Sequence, residues 1–159
     1  VTVAEEVNAP MNYPGTITMQ GKCFALTMFG VEAAYDGKTL YMYNAEVDEL
    51  TLSNPTEQEL LEANPFLYAK ALVDVCNITE RAINNGEQTL VTLTPKDQSI
   101  GIKRFTLKIK NTNLMPLQVE IKEGKQTTTL KLTKPAFVTT KQTYTITPDK
   151  DTYVNDMRY

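Results

Sequence analysis

Apolar and polar residues alternate with a period of two along the second half of the chain. Phe105, Leu107 and Ile109 are separated by polar residues, and the runs 117–122 and 127–133 repeat the pattern. Because successive side chains of a β-strand point to opposite faces, this alternation predicts strands with one apolar face and one hydrated face. The second half of the chain is therefore expected to form a sheet with one side in water.

The first half of the chain has strand-forming residues without that alternation. Leu40 and Met42 would point to one face of a strand, while Tyr41 and Tyr43 would point to the other. The run 22–29 is apolar on both faces in the same way. We therefore expect the strands of the first half to be covered on both faces.

Turn signals divide most of the chain into about a dozen short runs of strand-forming residues. Asp36-Gly37, Asn85-Gly86 and Glu123-Gly124 lie where hairpin turns are needed, since glycine adopts the positive φ of tight turns. The predicted strands cover residues 1–7, 16–20, 22–29, 31–35, 39–45, 49–53, 77–83, 89–94, 103–110, 117–122, 127–133 and 143–147. With no repeat or linker, this pattern predicts one large antiparallel sheet or barrel in a single domain over residues 1–159.

One segment of the chain has the pattern typical of helices. Thr56 and Glu59 form a capping box at a helix start, and Pro65 divides the segment. We predict one helix over residues 56–63 and a second over residues 65–73. The second helix is apolar nearly all round, which predicts that it is packed against other parts of the protein on most sides.

Two short helices provide little cover for the apolar face of a large sheet. If the apolar face exceeds what the helices cover, the surplus is a binding site for an apolar ligand, because burying apolar area yields about 25 cal/mol per Å². The alternative is a closed core of helices and sheet with no space for a ligand. The periodicity of the sequence leaves both interpretations open.

The composition excludes several classes of function. The chain has 159 residues, a net charge of −3 and no apolar run that approaches the roughly 20 residues of a membrane helix, so we expect neither nucleic-acid binding nor a membrane span. It contains no histidine, which excludes Ser-His-Asp and Cys-His catalysis and histidine zinc sites. No cofactor is expected.

The remaining reactive side chains do not form a catalytic pattern. Cys23 and Cys76 are far apart and make no C-x-x-C motif, so they are either a disulfide or two separate buried thiols, of which the second is favoured. The adjacent carboxylates Asp48 and Glu49 would point to opposite faces of a strand, which argues against acid–base catalysis by this pair. The chain is therefore not expected to be an enzyme.

Several motifs follow one another in an order that resembles a known family. They are "GTITMQGKCFAL", "YDGKTLYMYNAEVDELTLSNPTEQELLEANPF", "LVTLTPKD", "IKRFTLKI" and the closing "TITPDKDTYVNDMRY" with Asp156 and Arg158. Together they are similar to the periplasmic outer-membrane lipoprotein carriers of the LolA family, in the form found in Bacteroidetes. The resemblance implies a mainly-β fold, an incomplete antiparallel β-barrel of about eleven strands with short helices capping its concave apolar face.

The resemblance also implies a function, a location and a site. Carriers of this family bind lipoprotein acyl chains in an apolar cavity and shuttle them through the periplasm to the outer membrane. The implied partners are acylated lipoproteins or other lipids, an inner-membrane releasing complex and an outer-membrane receiver, and the chain would be a monomer. The predicted helices would form a lid over one face of the run 39–45, with other segments covering its back. The implied acyl-chain-binding residues are Ile17, Met19, Phe24, Leu26, Met28, Leu40, Met42, Phe66, Leu67, Leu72, Phe105, Leu107, Val119 and Ile121.

Three features depart from the family pattern. The family usually begins with a helix, whereas this chain starts at Val1 in a predicted strand, which suggests a processed or trimmed chain. An arginine on the family's second strand holds the lid shut, but the matching position is Gly21, which puts that lid control in doubt. A tyrosine replaces a tryptophan in the run 39–45. A lipid-binding receiver or sensor on the same fold, and an inert scaffold with a filled core, remain alternative interpretations.

Overall fold

The computed structural model describes residues 2–5 and 11–159, without the side chains of Ala4 and Glu5. The strands in this part of the chain are β1 Thr2–Glu5, β2 Met11–Asn12, β3 Gly15–Gln20, β4 Cys23–Met28, β5 Val31–Tyr35, β6 Leu40–Asn44, β7 Glu49–Ser53, β8 Cys76–Ile83, β9 Gln88–Pro95, β10 Ile102–Lys110, β11 Met115–Glu123, β12 Gln126–Lys131 and β13 Tyr153–Asp156. The helices are α1 Glu57–Ala63 and α2 Pro65–Leu72, and Asn84–Gly86 forms a single 3₁₀ turn. The ends of the first predicted strand, residues 1, 6 and 7, lie outside the described residues.

The described residues fall into two compact units, each containing one sheet. The first unit, Val1–Asn12 with Asn64–Ala136, contains α2 and a seven-stranded sheet in the order β2-β1-β12-β11-β10-β9-β8. The second unit, Tyr13–Ala63 with Phe137–Tyr159, contains α1 and a six-stranded sheet in the order β13-β7-β6-β5-β4-β3. The mainly-β prediction is confirmed, but the single large sheet is wrong, and the described strands form no closed barrel. The single-domain prediction stays a prediction.

The strands of both sheets pair antiparallel, with one exception in the part that the structure describes. β13 runs parallel to β7, so that Tyr153 pairs with Glu49 and Asp156 with Leu52. Two parallel strands need a long connection between them. The chain between β7 and β13 is long enough for β13 to run either parallel or antiparallel to β7. The expectation of an entirely antiparallel fold is corrected at this edge.

The predicted Asp36-Gly37 turn joins β5 to β6. The Asp36 carboxylate accepts the backbone N–H groups of Lys38 at 2.9 Å and Thr39 at 2.8 Å. Gly37 has a φ of 103°, a backbone conformation that side chains disfavour. The other two predicted turns also connect neighbouring strands, in the seven-stranded sheet. All three turn predictions are confirmed.

The strand predicted over residues 143–147 is wrong, because this segment is irregular. Its burial nevertheless alternates, with Tyr144 buried and Ile146 half-buried between exposed threonines. The segment just before it is attached through side chains: Gln20 donates to the Thr140 carbonyl at 3.0 Å and accepts the Gln142 N–H at 3.1 Å. The alternation therefore reflects an extended segment with one inward face, rather than a ladder of backbone hydrogen bonds.

Both predicted helices are confirmed to within one residue. The Thr56 N–H and hydroxyl donate to Glu59 Oε2 at 2.7 and 2.9 Å, and the Glu59 N–H donates to Thr56 Oγ1 at 3.3 Å, which is the predicted capping box. The hydrogen bonds from Thr56 keep the pKa of the Glu59 carboxyl below its usual value. Asn64 is fully buried and caps α2 by accepting the Phe66 N–H at 3.0 Å.

Helix α2 is less enclosed than its sequence predicts. Leu72 is its one buried residue, whereas Phe66 and Leu67 are half-buried and Ala71 is exposed. The prediction that this helix is packed on most sides is therefore confirmed only in part: Lys70 and Ala71 are exposed, and its other residues except Leu72 are only half-buried. An eight-residue helix has only about two turns, so most of its side chains lie near an end. Neither helix in the described part of the chain is long and apolar enough to cross a membrane.

The two cysteines are not joined to each other. Cys76 is buried at the start of β8, and Cys23 is half-buried at the start of β4. Burial raises the pKa of the Cys76 thiol. The interpretation as two separate thiols is confirmed, although only one of them is fully buried.

Candidate functional site

The strand register places the predicted site residues of the six-stranded sheet on one face. Residues directly opposite one another in an antiparallel pair share a face. Ile17 lies opposite Leu26, and Leu26 lies opposite Ala33, which in turn lies opposite Met42. Following such pairs across β3 to β6 defines face A, which contains Ile17, Met19, Phe24, Leu26, Met28, Leu40 and Met42.

Face A divides into enclosed and accessible residues. Phe24 is 0% exposed and Leu40 is 4% exposed, so neither side chain can touch a ligand unless its neighbours move. Met42 is 40% exposed, and Ile17 and Met19 are half-buried. The accessible part of face A is thus formed by methionines and an isoleucine, which are adaptable apolar side chains for a flexible alkyl chain.

The seven-stranded sheet has its own apolar face, face B. Phe105 lies opposite Ile121, and Leu107 lies opposite Val119, so the four predicted residues of this sheet share one face. Phe105 and Val119 are 0% exposed, whereas Leu107 and Ile121 are half-buried. As on face A, a buried layer is accompanied by side chains that keep part of their area accessible.

Sequence reasoning missed residues of β9 that belong to face B. Val91 lies opposite Leu107, and Leu93 lies opposite Phe105 on the other side of β10. Val91 is half-buried and Leu93 is buried. The spacing of two between Val91 and Leu93 is a visible signal, but Leu90 between them hides the alternation.

The predicted residues of α2 differ in access. Phe66 and Leu67 are half-buried, while Leu72 is 3% exposed and belongs to the core. Val73, just after the helix, is 47% exposed. The apolar surface that α2 offers to a ligand is therefore at its first turn. The role of α2 as a lid stays a prediction.

The back of β6 is occupied by two tyrosines, both half-buried. Tyr41 donates its hydroxyl to Asp36 Oδ2 and Tyr43 donates to Asp48 Oδ1, each at 3.1 Å. Burial, and then the hydrogen bond to Asp36, raises the pKa of Tyr41. Burial alone would raise the pKa of Asp36, but the hydrogen bonds that its carboxylate accepts outweigh it and lower that pKa. These carboxylates let aromatic side chains cover the back of the strand while their hydroxyls stay hydrogen-bonded.

A polar cleft lies within the second unit, on the side of β3 and β4 away from face A. It measures about 290 Å³ and is lined by Gln20, Cys23, Asp36, Lys141, Gln142, Thr143 and Tyr144. Gln20, Asp36 and Gln142 already use their side chains in hydrogen bonds to the protein. This lining does not suit an alkyl chain, which leaves faces A and B as the apolar candidates. No cluster of metal-binding side chains occurs among residues 2–5 and 11–159.

Two positions from the family pattern have structural roles. Gly21 is not on a strand but in the turn between β3 and β4, where its φ of 63° favours glycine. An arginine there would not extend from a strand as in the family pattern. Asp156 and Arg158 form an ion pair in the tail, with Arg158 Nε donating to Asp156 Oδ1 at 2.8 Å.

The family model described as "Outer membrane lipoprotein carrier protein LolA" matches residues 34–156, which include strands of both sheets. No curated protein matches the chain.

Proposed function

Because the chain belongs to the LolA family of outer membrane lipoprotein carriers, we propose that it binds the acyl chains of lipoproteins on faces A and B and carries them through the periplasm to the outer membrane. The observation that carries this proposal is the partial exposure of apolar side chains on the two faces. Met42 is 40% exposed, and Leu107 and Ile121 are half-buried although they lie in the middle of strands. Such area gains free energy when an alkyl chain covers it.

Partial coverage of the cargo suits a carrier. A palmitoyl chain has roughly 14 methylene groups, and at about 0.8 kcal/mol each their full burial would contribute about 11 kcal/mol. That free energy corresponds to a Kd on the order of 10 nM for one chain, and several chains would bind more tightly still. A surface that covers each chain only in part keeps binding weak enough for delivery to a receiver.

Helix α2 is proposed to compete with the cargo. Phe66 and Leu67 expose part of their side chains, so they have little packing to lose when the helix shifts. The turn position of Gly21 leaves no arginine to hold a lid at the family's position. We propose that apolar contacts of α2, rather than an arginine, oppose cargo entry.

The proposal includes the partners that the family implies. The cargo would come from an inner-membrane releasing complex and pass to an outer-membrane receiver, with this chain acting as a monomer between them. A catalytic step is not part of this function.

Binding of a synthetic triacylated lipopeptide tests the site, with displacement of a fluorescent fatty acid as the measurement. Leu107→Glu places a charge on face B and should weaken binding at least tenfold, because the carboxylate would be desolvated beneath the alkyl chain. Thr106→Glu is the matched control, since Thr106 is also half-buried but lies on the opposite face of β10. Met42→Glu tests face A at an exposed side chain that a charge can replace without unfolding the sheet.

Circular dichroism melting of each variant separates lost binding from lost folding. If Leu107→Glu and Met42→Glu both fold and bind the lipopeptide as tightly as wild type does, faces A and B are not the site. Transfer of the lipopeptide between vesicles then distinguishes a carrier from a receiver. A carrier accelerates transfer between two vesicle populations, whereas a receiver only accumulates the cargo.

A further inference from the structure

Three segments of the second unit meet at one end of the six-stranded sheet. The turn at residues 29–30 joins β4 to β5, and the turn at residues 45–48 joins β6 to β7 at the same end. Residues 149–153 lead into β13 there: the Tyr153 N–H donates to the Asp48 carbonyl at 3.1 Å. These three segments are here called the turn end.

The turn end exposes three large apolar side chains at the same end of the sheet. Phe29 is 45% exposed, Val47 is 63% exposed and Tyr153 is 65% exposed. Single exposed apolar residues are ordinary on protein surfaces, but a group of them at one place marks an interaction surface. Aromatic side chains in particular are enriched where proteins bind other proteins.

Phe29 stands in a backbone conformation that does not suit it. Its φ is 56° and that of Gly30 is 76°, the pair of positive angles of a tight hairpin turn in which asparagine and glycine are favoured. The Phe29 ring also packs edge-on against the Tyr13 ring, with the ring centroids 4.7 Å apart. A bulky, partly exposed aromatic side chain at a position that prefers asparagine makes Phe29 a candidate for a contact with another molecule.

The same segments also carry several acidic side chains. The carboxylates at the turn end are Glu46, Asp48, Asp149 and Asp151, and Glu32 lies next to it on β5. Lys150 is the one cation among residues 29–32, 45–48 and 149–153. Asp48 is fixed by hydrogen bonds from the Tyr43 hydroxyl at 3.1 Å and the Thr152 hydroxyl at 2.9 Å. The hydrogen bond to Asp48, followed by burial and the charges of Asp48, Asp149 and Glu32, raises the pKa of Tyr43, which places these three carboxylates around its hydroxyl.

We propose that the turn end is a docking surface for a partner protein that presents an apolar pocket within a basic surface. Phe29 and Val47 supply the apolar contact, and the carboxylates of the same segments select positive charge. A second copy of this chain, docked end to end, would bring like charges together. A membrane with anionic headgroups would be repelled in the same way. This inference is independent of the acyl-chain site on faces A and B.

A pair of asparagine substitutions tests the apolar contact. Phe29→Asn removes the ring at a position whose φ favours asparagine, so the melting temperature should stay at or above that of wild type. Leu114→Asn is the matched control. Leu114 is likewise an exposed apolar residue in a turn, with 76% of its surface exposed and a φ of 57°, but it lies in the first unit. The probe is a fluorescein-labelled peptide of alternating arginine and leucine, measured by anisotropy with excess palmitate present to occupy apolar lipid sites. Phe29→Asn should weaken its binding at least tenfold, and Leu114→Asn should not.

The charges are tested by neutralising carboxylates at positions where only backbone groups take part in the turn hydrogen bonds, such as the Asp149 carbonyl and the Glu46 N–H. The triple variant Glu46→Gln, Asp149→Asn, Asp151→Asn should weaken binding of the arginine–leucine peptide and reduce its salt dependence. A glutamate–leucine peptide and an arginine–serine peptide should both bind at least tenfold more weakly than the arginine–leucine peptide to wild type. Equal binding of the arginine–leucine peptide to wild type and Phe29→Asn would overturn the proposal. So would tighter binding of wild type to anionic vesicles than to neutral ones, or self-association that Phe29→Asn abolishes.

Discussion

The two sheets differ in what covers the face opposite their apolar one. In the six-stranded sheet that face holds Ala34, Leu50 and Leu52, which are 2%, 1% and 8% exposed. In the seven-stranded sheet the corresponding face holds Thr106 and Lys108, both half-buried, and strand residues such as Arg104 and Glu120 that form an ion pair at 3.2 Å. The six-stranded sheet is therefore buried on its back at these three residues, whereas the same face of the seven-stranded sheet is hydrated.

This difference explains the two hydrophobic patterns along the chain. The strands of the first half do not alternate, because both of their faces need apolar or hydrogen-bonded aromatic residues. Tyr43 lies opposite Leu50 and Tyr41 lies opposite Leu52 on the back of the six-stranded sheet. Each tyrosine covers apolar area with its ring while its hydroxyl bonds a carboxylate of a neighbouring turn. A loss of alternation thus marked double coverage in this chain, rather than a buried helix.

The largest expected effect comes from opening the back of the six-stranded sheet. Leu50→Ala should lower the free energy of unfolding by about 2–5 kcal/mol, because Leu50 is 1% exposed and its removal leaves a cavity. Lys108→Ala, on the hydrated face of the seven-stranded sheet, should change it by no more than about 0.5 kcal/mol. Urea unfolding followed by circular dichroism measures both variants. Similar losses for the two would mean that the faces are not covered differently.

How far the sequence predicts this fold depends on whether a feature is local. The strand β5 and the capping box of α1 were predicted closely, since alternation, turn glycines and capping residues act within a few positions. Strand β13 was missed because a four-residue parallel edge strand is defined by its distant partner β7. Residues 143–147 were assigned to a strand because Tyr144 and Ile146 alternate with threonines, a pattern that an extended segment without a ladder also shows.

The candidate site shows the same limit. Alternate residues of a strand lie on the same face of the sheet, so the residues that make up faces A and B could be predicted from the sequence. Which members remain accessible could not, because Phe24 and Met42 look alike in the sequence pattern yet are 0% and 40% exposed. Access depends on segments that are distant in sequence. Gly21 could be recognised as a departure from the family, but its place in a turn required the strand register.

A second, smaller effect tests how tightly the six-stranded sheet is packed at its edge. A methyl group on Gly15 would clash with the Thr27 carbonyl oxygen, a backbone atom that cannot move aside alone. Gly15→Ala should therefore cost about 1–3 kcal/mol in unfolding free energy. Gly101→Ala in the first unit is the matched control, since nothing lies within 4 Å of the added methyl group and its φ is not positive. Thermal melts in parallel compare the two, and an unchanged Gly15→Ala variant would show that β3 and β4 can separate locally.

The smallest expected effect concerns the parallel strand that closes the edge of the six-stranded sheet. Hydrogen bonds from Arg158 lower the pKa of Asp156 to about 2. A carboxyl whose pKa is depressed by folding contributes stability above its unfolded value, near 3.8, and loses that contribution as the pH falls through about 2. Wild type should therefore exceed Arg158→Gln slightly in melting temperature at pH 5, and the two should converge as the pH is lowered to 2.

The Asp156 carboxyl itself provides the direct measurement, through its carbon chemical shift across a pH titration by NMR. In Arg158→Gln the midpoint should rise towards the ordinary value, while Asp156→Asn removes the signal and should reproduce the flatter pH dependence of stability. Both groups are solvent-exposed, so added salt should narrow the difference between wild type and Arg158→Gln. A midpoint near 4 in wild type would mean that the tail pair does not persist in solution. The end of β13 would then be held by its backbone bonds to β7, such as that from the Met157 N–H to the Leu52 carbonyl at 2.8 Å.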